Sequence, residues 1–152
     1  MEFSEITKKY WTKEDWENLE KVSNFADMRV IAKRVLDRIP RPVAGVCGPI
    51  AETGGLHSIE ANLKVFNNTI IQLQKNGLRI FDQMPFEDKM QELKAKMNRE
   101  DFLKELDDDF YMPIFESGVV STFYFIPGWE TSNGAKFEHE KAKELGIKIV
   151  YL

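Results

Sequence analysis

Apolar positions along this chain of 152 residues recur first at helical spacing and then in strand-like runs that alternate with helical stripes. Thr12-Lys13-Glu14-Asp15 has the form of a capping box with Asp where Glu is usual, and it opens a short helix to about Lys21 that displays Trp16 and Leu19. From Phe25 to Arg38, the residues Met28, Ile31, Val35 and Ile39, with Ala32 and Leu36, make a stripe that Pro40 and Pro42 end. Val43-Ala44-Gly45-Val46-Cys47 is a continuous apolar run, the pattern of a strand buried on both faces, and it leads into Gly48-Pro49-Ile50 and a loop with Gly54-Gly55. Ser58 then caps a helix whose stripe Ile59, Leu63, Phe66, Ile70, Leu73 is spaced four, three, four and three, with Gly77 just past its end.

Leu78-Arg79-Ile80-Phe81-Asp82 reads as a second strand, followed by a Met84-Pro85 turn and a charged helical segment from Phe86 to Met97. Asn98 caps a helix carrying Phe102, Leu103, Leu106 and Phe110, which Pro113 should kink or restart before Gly118 ends it. Val119 to Ile126, rich in β-branched and aromatic residues, predicts a third strand, and Ile147 to Tyr151 a fourth, after Gly146 has closed the last helix. Strands alternating with helices predict an α/β fold: one flavodoxin- or Rossmann-like domain over residues 43–152, with a mostly parallel sheet of four to five strands. Residues 1–42 form an N-terminal helical extension, a packing or oligomer element.

One residue breaks the pattern. Ala135, Glu138, Ala142 and Leu145 are spaced three, four and three, so they share a helical stripe whose other members are apolar. A carboxylate so placed asks for a partner or a job, because burying a charge is costly and perturbed carboxylates gather at working sites. Near the helix start it also has a bland alternative, reaching solvent or a neighbouring lysine. In open parallel sheets, ligands bind beyond the carboxyl ends of the strands where strand order reverses, which in a flavodoxin-like order lies between the first and third strands. Both glycine loops, Gly48 to Gly55 and Thr131 to Gly134, fall there and can bring backbone N–H groups close to an anion or a sugar hydroxyl. Ser132 is placed to cap the Glu138 helix. Trp129 and Tyr111 are candidate wall residues for a flat ligand, and one carboxylate of Asp107-Asp108-Asp109 can turn inward.

Composition narrows the chemistry. Hydrophobic residues at 43%, charged residues at 30% and a net charge of -4 describe an ordinary globular protein and give no reason to expect nucleic-acid backbone binding. Cys47 is the only cysteine and His57 and His139 are the only histidines, which excludes an intramolecular disulfide and argues against a metal cluster. No metal or organic cofactor is expected. The first residues have neither a basic n-region nor an apolar h-region, and no apolar run reaches the length of a membrane span, so a cytoplasmic location is expected.

Cys47-Gly48-Pro49-Ile50 with Gly54-Gly55, and Ser132-x-Gly134-x-x-x-Glu138 ahead of a small-residue helix, resemble the signature of the nucleoside 2-deoxyribosyltransferase superfamily. The likeness is closer to its deoxynucleoside 5'-monophosphate N-glycosidase branch and that branch's bacterial and phage relatives, and it spans residues 43–152. It implies cleavage of an N-glycosidic bond, with Glu138 corresponding to the nucleophile that forms a glycosyl-enzyme intermediate. Ser132 and Gly134 correspond to residues that hold the 5' end of the sugar, Asp109 to a carboxylate that positions the substrate and assists the leaving base, and Gly48, Pro49, Ile50, Gly54, Gly55 and Trp129 to pocket lining. A homodimer or larger homo-oligomer is implied as well. The chain departs from the monophosphate glycosidases in the loop after the first strand, where Pro49 replaces a serine and Ala51-Glu52-Thr53 stands where an arginine would meet a phosphate. That departure favours a neutral nucleoside or another ribosyl compound. A non-catalytic nucleotide or metabolite sensor using the same pocket is the alternative.

Overall fold

The computed structural model describes residues 1–50 and 58–152. Two compact units emerge, each built from two separate stretches of chain: Met1–Pro40 with Gln83–Val119, and Arg41–Asp82 with Val120–Leu152.

The first unit is helical. It contains α1 (Glu5–Lys9), α2 (Lys13–Lys21), α3 (Phe25–Arg38), a 3₁₀ turn (Met84–Phe86), α5 (Glu87–Lys94), α6 (Arg99–Glu105), a π-helical turn (Leu106–Tyr111) and α7 (Met112–Glu116). The expected capping box opens α2: Thr12 Oγ1 accepts from the Asp15 amide at 3.1 Å, and Asp15 Oδ2 accepts from the Thr12 amide at 2.8 Å. Asp15 is buried, which by itself raises its carboxyl. The Thr12 amide and the Arg38 guanidinium outweigh that and hold it below its ordinary value. The α3 stripe is buried as its spacing predicts, through Met28, Ile31, Ala32, Val35 and Leu36. The break expected at Pro113 comes one turn earlier, in the π-helical turn. Pro113 itself is the second residue of α7, in the first turn, where a backbone N–H would find no partner within that helix.

The second unit holds β1 (Val43–Cys47), α4 (Ile59–Lys75), β2 (Val120–Phe125), a 3₁₀ turn (Trp129–Thr131), α8 (Asn133–Leu145) and β3 (Lys148–Tyr151). All five residues of β1 are buried, as a strand covered on both faces requires. The strands run parallel in the order β1-β2-β3, and the fold is α/β. Three strands, rather than four to five, make the sheet among the described residues. The segment expected as a second strand contributes a single parallel bridge, Ala44 to Ile80, through Ala44 N–H to the Arg79 carbonyl and Phe81 N–H to the Ala44 carbonyl, both at 2.8 Å. It stops there because the chain turns directly into the Pro85-containing 3₁₀ turn, and a continued ladder would need extended backbone. The bridge lies on the far side of β1 from β2, so the spatial order across the sheet is Ile80, β1, β2, β3.

Candidate functional site at the carboxyl edge of the sheet

Register aligns the last residues of the three strands. Cys47 pairs with Phe125, and Phe125 with Tyr151, so the three lie side by side and project to one face. Helix α8 follows β2 and covers that face with two adjacent residues. Glu138 meets β1, where Cys47 Sγ donates to its Oε2 at 3.4 Å. His139 meets β3, where its Nε2 and the Tyr151 hydroxyl are 2.6 Å apart. The central strand supplies Phe125, fully buried, whose ring packs edge-on against both Trp129 and His139 at 5.2 Å between centroids.

The buried face of α8 therefore differs from the predicted stripe. Ala135, His139 and Ala142 are buried, Glu138 is half-buried at the border, and Leu145 is exposed. The carboxylate borders the core, and the residue after it fills the core. Spacings of four and three in Ala135, His139 and Ala142 were the available signal for the histidine, whereas nothing in the apolar run that ends at Cys47 marked its thiol as a donor.

Burial pushes the Cys47 thiol well above its ordinary range, and the Glu138 carboxylate beside it pushes it further. Cys47 is thus a protonated donor, not a thiolate nucleophile.

The segment into α8 is shaped by local rules. Gly128 takes a left-handed conformation, at φ 89, that lets Pro127 turn into the 3₁₀ turn. Ser132 is buried and caps α8, its Oγ accepting from the Ala135 amide at 3.2 Å. The amides of Asn133 and Gly134 belong to the first turn, whose N–H groups find no partner within the helix. Gly134 has no steric need of its own: a Cβ there would meet only Ser132 Oγ, at 3.8 Å. Gly48 is the reverse case. A Cβ on it would come within 2.9 Å of Ile126, so glycine is required for the ends of β1 and β2 to lie together. Pro49 and Ile50 follow, half-buried, with the Ile50 carbonyl held by the buried Asn62 of α4 at 2.9 Å. Trp129 is half-buried and stacks on His139 at 4.3 Å, so one face of its indole is already covered.

The sheet unit thus brings together Glu138, Ser132, Gly134, Trp129, Gly48, Pro49 and Ile50. Asp109 belongs to the helical unit, where it is exposed on the π-helical turn, and Tyr111 of the same turn directs its hydroxyl at the Met90 sulfur. Gly54 and Gly55 lie outside the described residues. Among the described residues, no three His, Cys, Asp or Glu side chains converge as metal ligands would, and no helix is long and apolar enough to cross a membrane.

Residues 59–151 match the family described as Domain of unknown function (DUF4406). The chain belongs to this family. The DUF4406 match runs from α4 through β3, so it takes in Trp129, Ser132, Gly134, Glu138, His139 and Tyr151. Cys47 and Gly48 lie ahead of it. No curated protein and no solved structure matches the chain.

Proposed function

We propose that this DUF4406 protein is an N-glycosidase or deoxyribosyl-transfer enzyme acting on a nucleoside or nucleotide, with Glu138 as nucleophile and a flavodoxin-like frame akin to the nucleoside 2-deoxyribosyltransferase superfamily. The observation that carries this reading is the half-buried Glu138 carboxylate at the carboxyl edge of a parallel sheet, on the helix that opens with Ser132 and Gly134. Glu138 attacks the anomeric carbon, the C–N bond breaks with its electron pair leaving on the base, and the base takes up a proton. Water or a second base then displaces the carboxylate from the sugar. The open side of Gly134 and the first-turn amides of α8 suit the 5' end of the sugar. A homodimer or larger homo-oligomer belongs to the same reading.

Incubation with a panel of nucleosides and 5'-monophosphates, followed by chromatography for free base, tests it. Wild-type protein is expected to release base, and Glu138→Ala to lower that release by at least about 10³-fold, the scale on which loss of a nucleophile acts. A 2-fluoro-arabinosyl nucleoside is expected to leave its sugar on the peptide that contains Glu138. Base release that survives in Glu138→Ala overturns the assignment. Asp109 keeps its assigned part of assisting the leaving base in this reading, and the alternative is a non-catalytic nucleotide or metabolite sensor using the same pocket. Tight binding of a panel member without turnover selects that reading.

A further inference from the structure

We infer that Cys47 is a positioning residue for Glu138: its buried thiol donates to Oε2 and helps to orient the carboxylate for attack on the anomeric carbon. The inference rests on the glycosyl-transfer reading above and adds to it a residue outside the DUF4406 match.

Three observations carry it. First, Cys47 has the only side chain in β1 that can donate a hydrogen bond, since the rest of the strand is Val43, Ala44, Gly45 and Val46. It stands on the last residue of that strand, where the register sets it beside Phe125 and Tyr151 on the face that α8 covers. Second, the contact joins β1 to α8 across the sheet edge, 3.4 Å from Sγ to Oε2, within hydrogen-bond range for sulfur and with the thiol 1% exposed. Water cannot readily take the place of that donor. Third, α8 is held at the neighbouring residue by His139, which packs on Trp129 and meets Tyr151. The helix backbone under Glu138 is thereby fixed, and the thiol holds the Oε2 end of its side chain at a defined place. A cysteine that merely filled space would behave as a small hydrophobe, and nothing in that role would require a carboxylate oxygen on its sulfur.

The thiol takes no part in bond making. It stays protonated while a Glu138 oxygen bonds to the sugar and the base departs, and it still donates to Oε2 when the ester is later broken.

Two measurements test the inference together. Because Cys47 is the only cysteine, the protein has one S–H stretching band in the infrared, and hydrogen bonding moves such a band to lower frequency. The band is expected to rise in Glu138→Ala. In kinetics, Cys47→Ala is expected to lower kcat about 10-fold with KM little changed, the size of one lost hydrogen bond to a charged group. Cys47→Ser, which keeps a donor, recovers most of that loss, whereas Cys47→Val, closer to cysteine in bulk, does not. Circular dichroism and thermal melts confirm that each variant folds. An unshifted band, or Cys47→Ala and Cys47→Val turning over like wild type, overturns the positioning role and leaves the glycosidase reading standing. A wild-type protein that releases no base overturns both, so the two failures are told apart by the wild-type assay alone.

Discussion

Glycine at positions 48 and 134 is present for opposite reasons, and substitution separates them. A methyl group on Gly48 would press on the Ile126 side chain, 2.9 Å from both its Cβ and its Cδ1, at the junction of β1 and β2. Gly48→Ala is therefore expected to lower stability by about 1–3 kcal/mol, read as a reduced urea midpoint, in line with other overpacked sites. Gly134→Ala adds its methyl to open space in the first turn of a helix and is expected to leave the midpoint unchanged or slightly raised. Base release should nevertheless fall, since the added group occupies the approach to the first-turn amides. Unaltered turnover in a fully folded Gly134→Ala protein would remove position 134 from the site. The stability of Gly48→Ala thus reports packing, and the turnover of Gly134→Ala reports ligand access.

At the scale of elements, Ser132 ends a turn and starts a helix at once. Ser132→Ala removes the acceptor of the Ala135 amide and is expected to cost about 1 kcal/mol, measured by thermal or urea unfolding. If Ser132 also holds the sugar, its KM rises by more than the cap loss explains, and Ser132→Asp, which restores the cap, recovers stability without recovering KM. Helices were the legible part of this chain. Ser58 caps α4 as its place before the Ile59–Leu73 stripe predicts, with Oγ accepting from the Ala61 amide at 3.1 Å, because capping and amphipathic spacing are local. The strand expected at 78–82 shrank to one bridge since its partners and the following turn decide its length, and neither is written in those five residues. The π-helical turn had no sequence mark beyond an acidic run. Glu138 was legible as an anomaly, but its partner Cys47 was not: the contact joins residues far apart in sequence, and an apolar strand ending in cysteine looks the same whether the thiol packs or donates.

At the scale of the molecule, charge buried in the helical unit sets how stability follows pH. Glu87 is 5% exposed, and burial raises its carboxyl from 4.5 to about 7, with Gln91 and Lys94 opposing and Asp88 adding. The folded state then keeps a proton that the unfolded chain has released. This contribution to stability is complete below pH 4.5 and is lost as pH rises towards 7, at up to about 1.4 kcal/mol per pH unit. Asp15 acts with the other sign: its lowered carboxyl stabilises above 3.8 and loses that effect as pH falls. Urea melts across this range should show wild type weakening between pH 4.5 and 7, and Glu87→Gln flat over the same interval. Parallel curves for the two proteins would show that Glu87 does not hold its proton.

The interleaving of the two units also governs the order in which the chain becomes foldable during synthesis. β1 leaves the ribosome with every residue apolar or small and all five destined for burial, yet its ladder partner begins at Val120 and the third strand at Lys148. Until then a sticky, unsatisfied edge is held by little more than Ile80. The helical unit has all its residues once Val119 has emerged, whereas the sheet unit waits for Val120 to Leu152, so the nascent chain carries one unit complete and the other still without two of its strands.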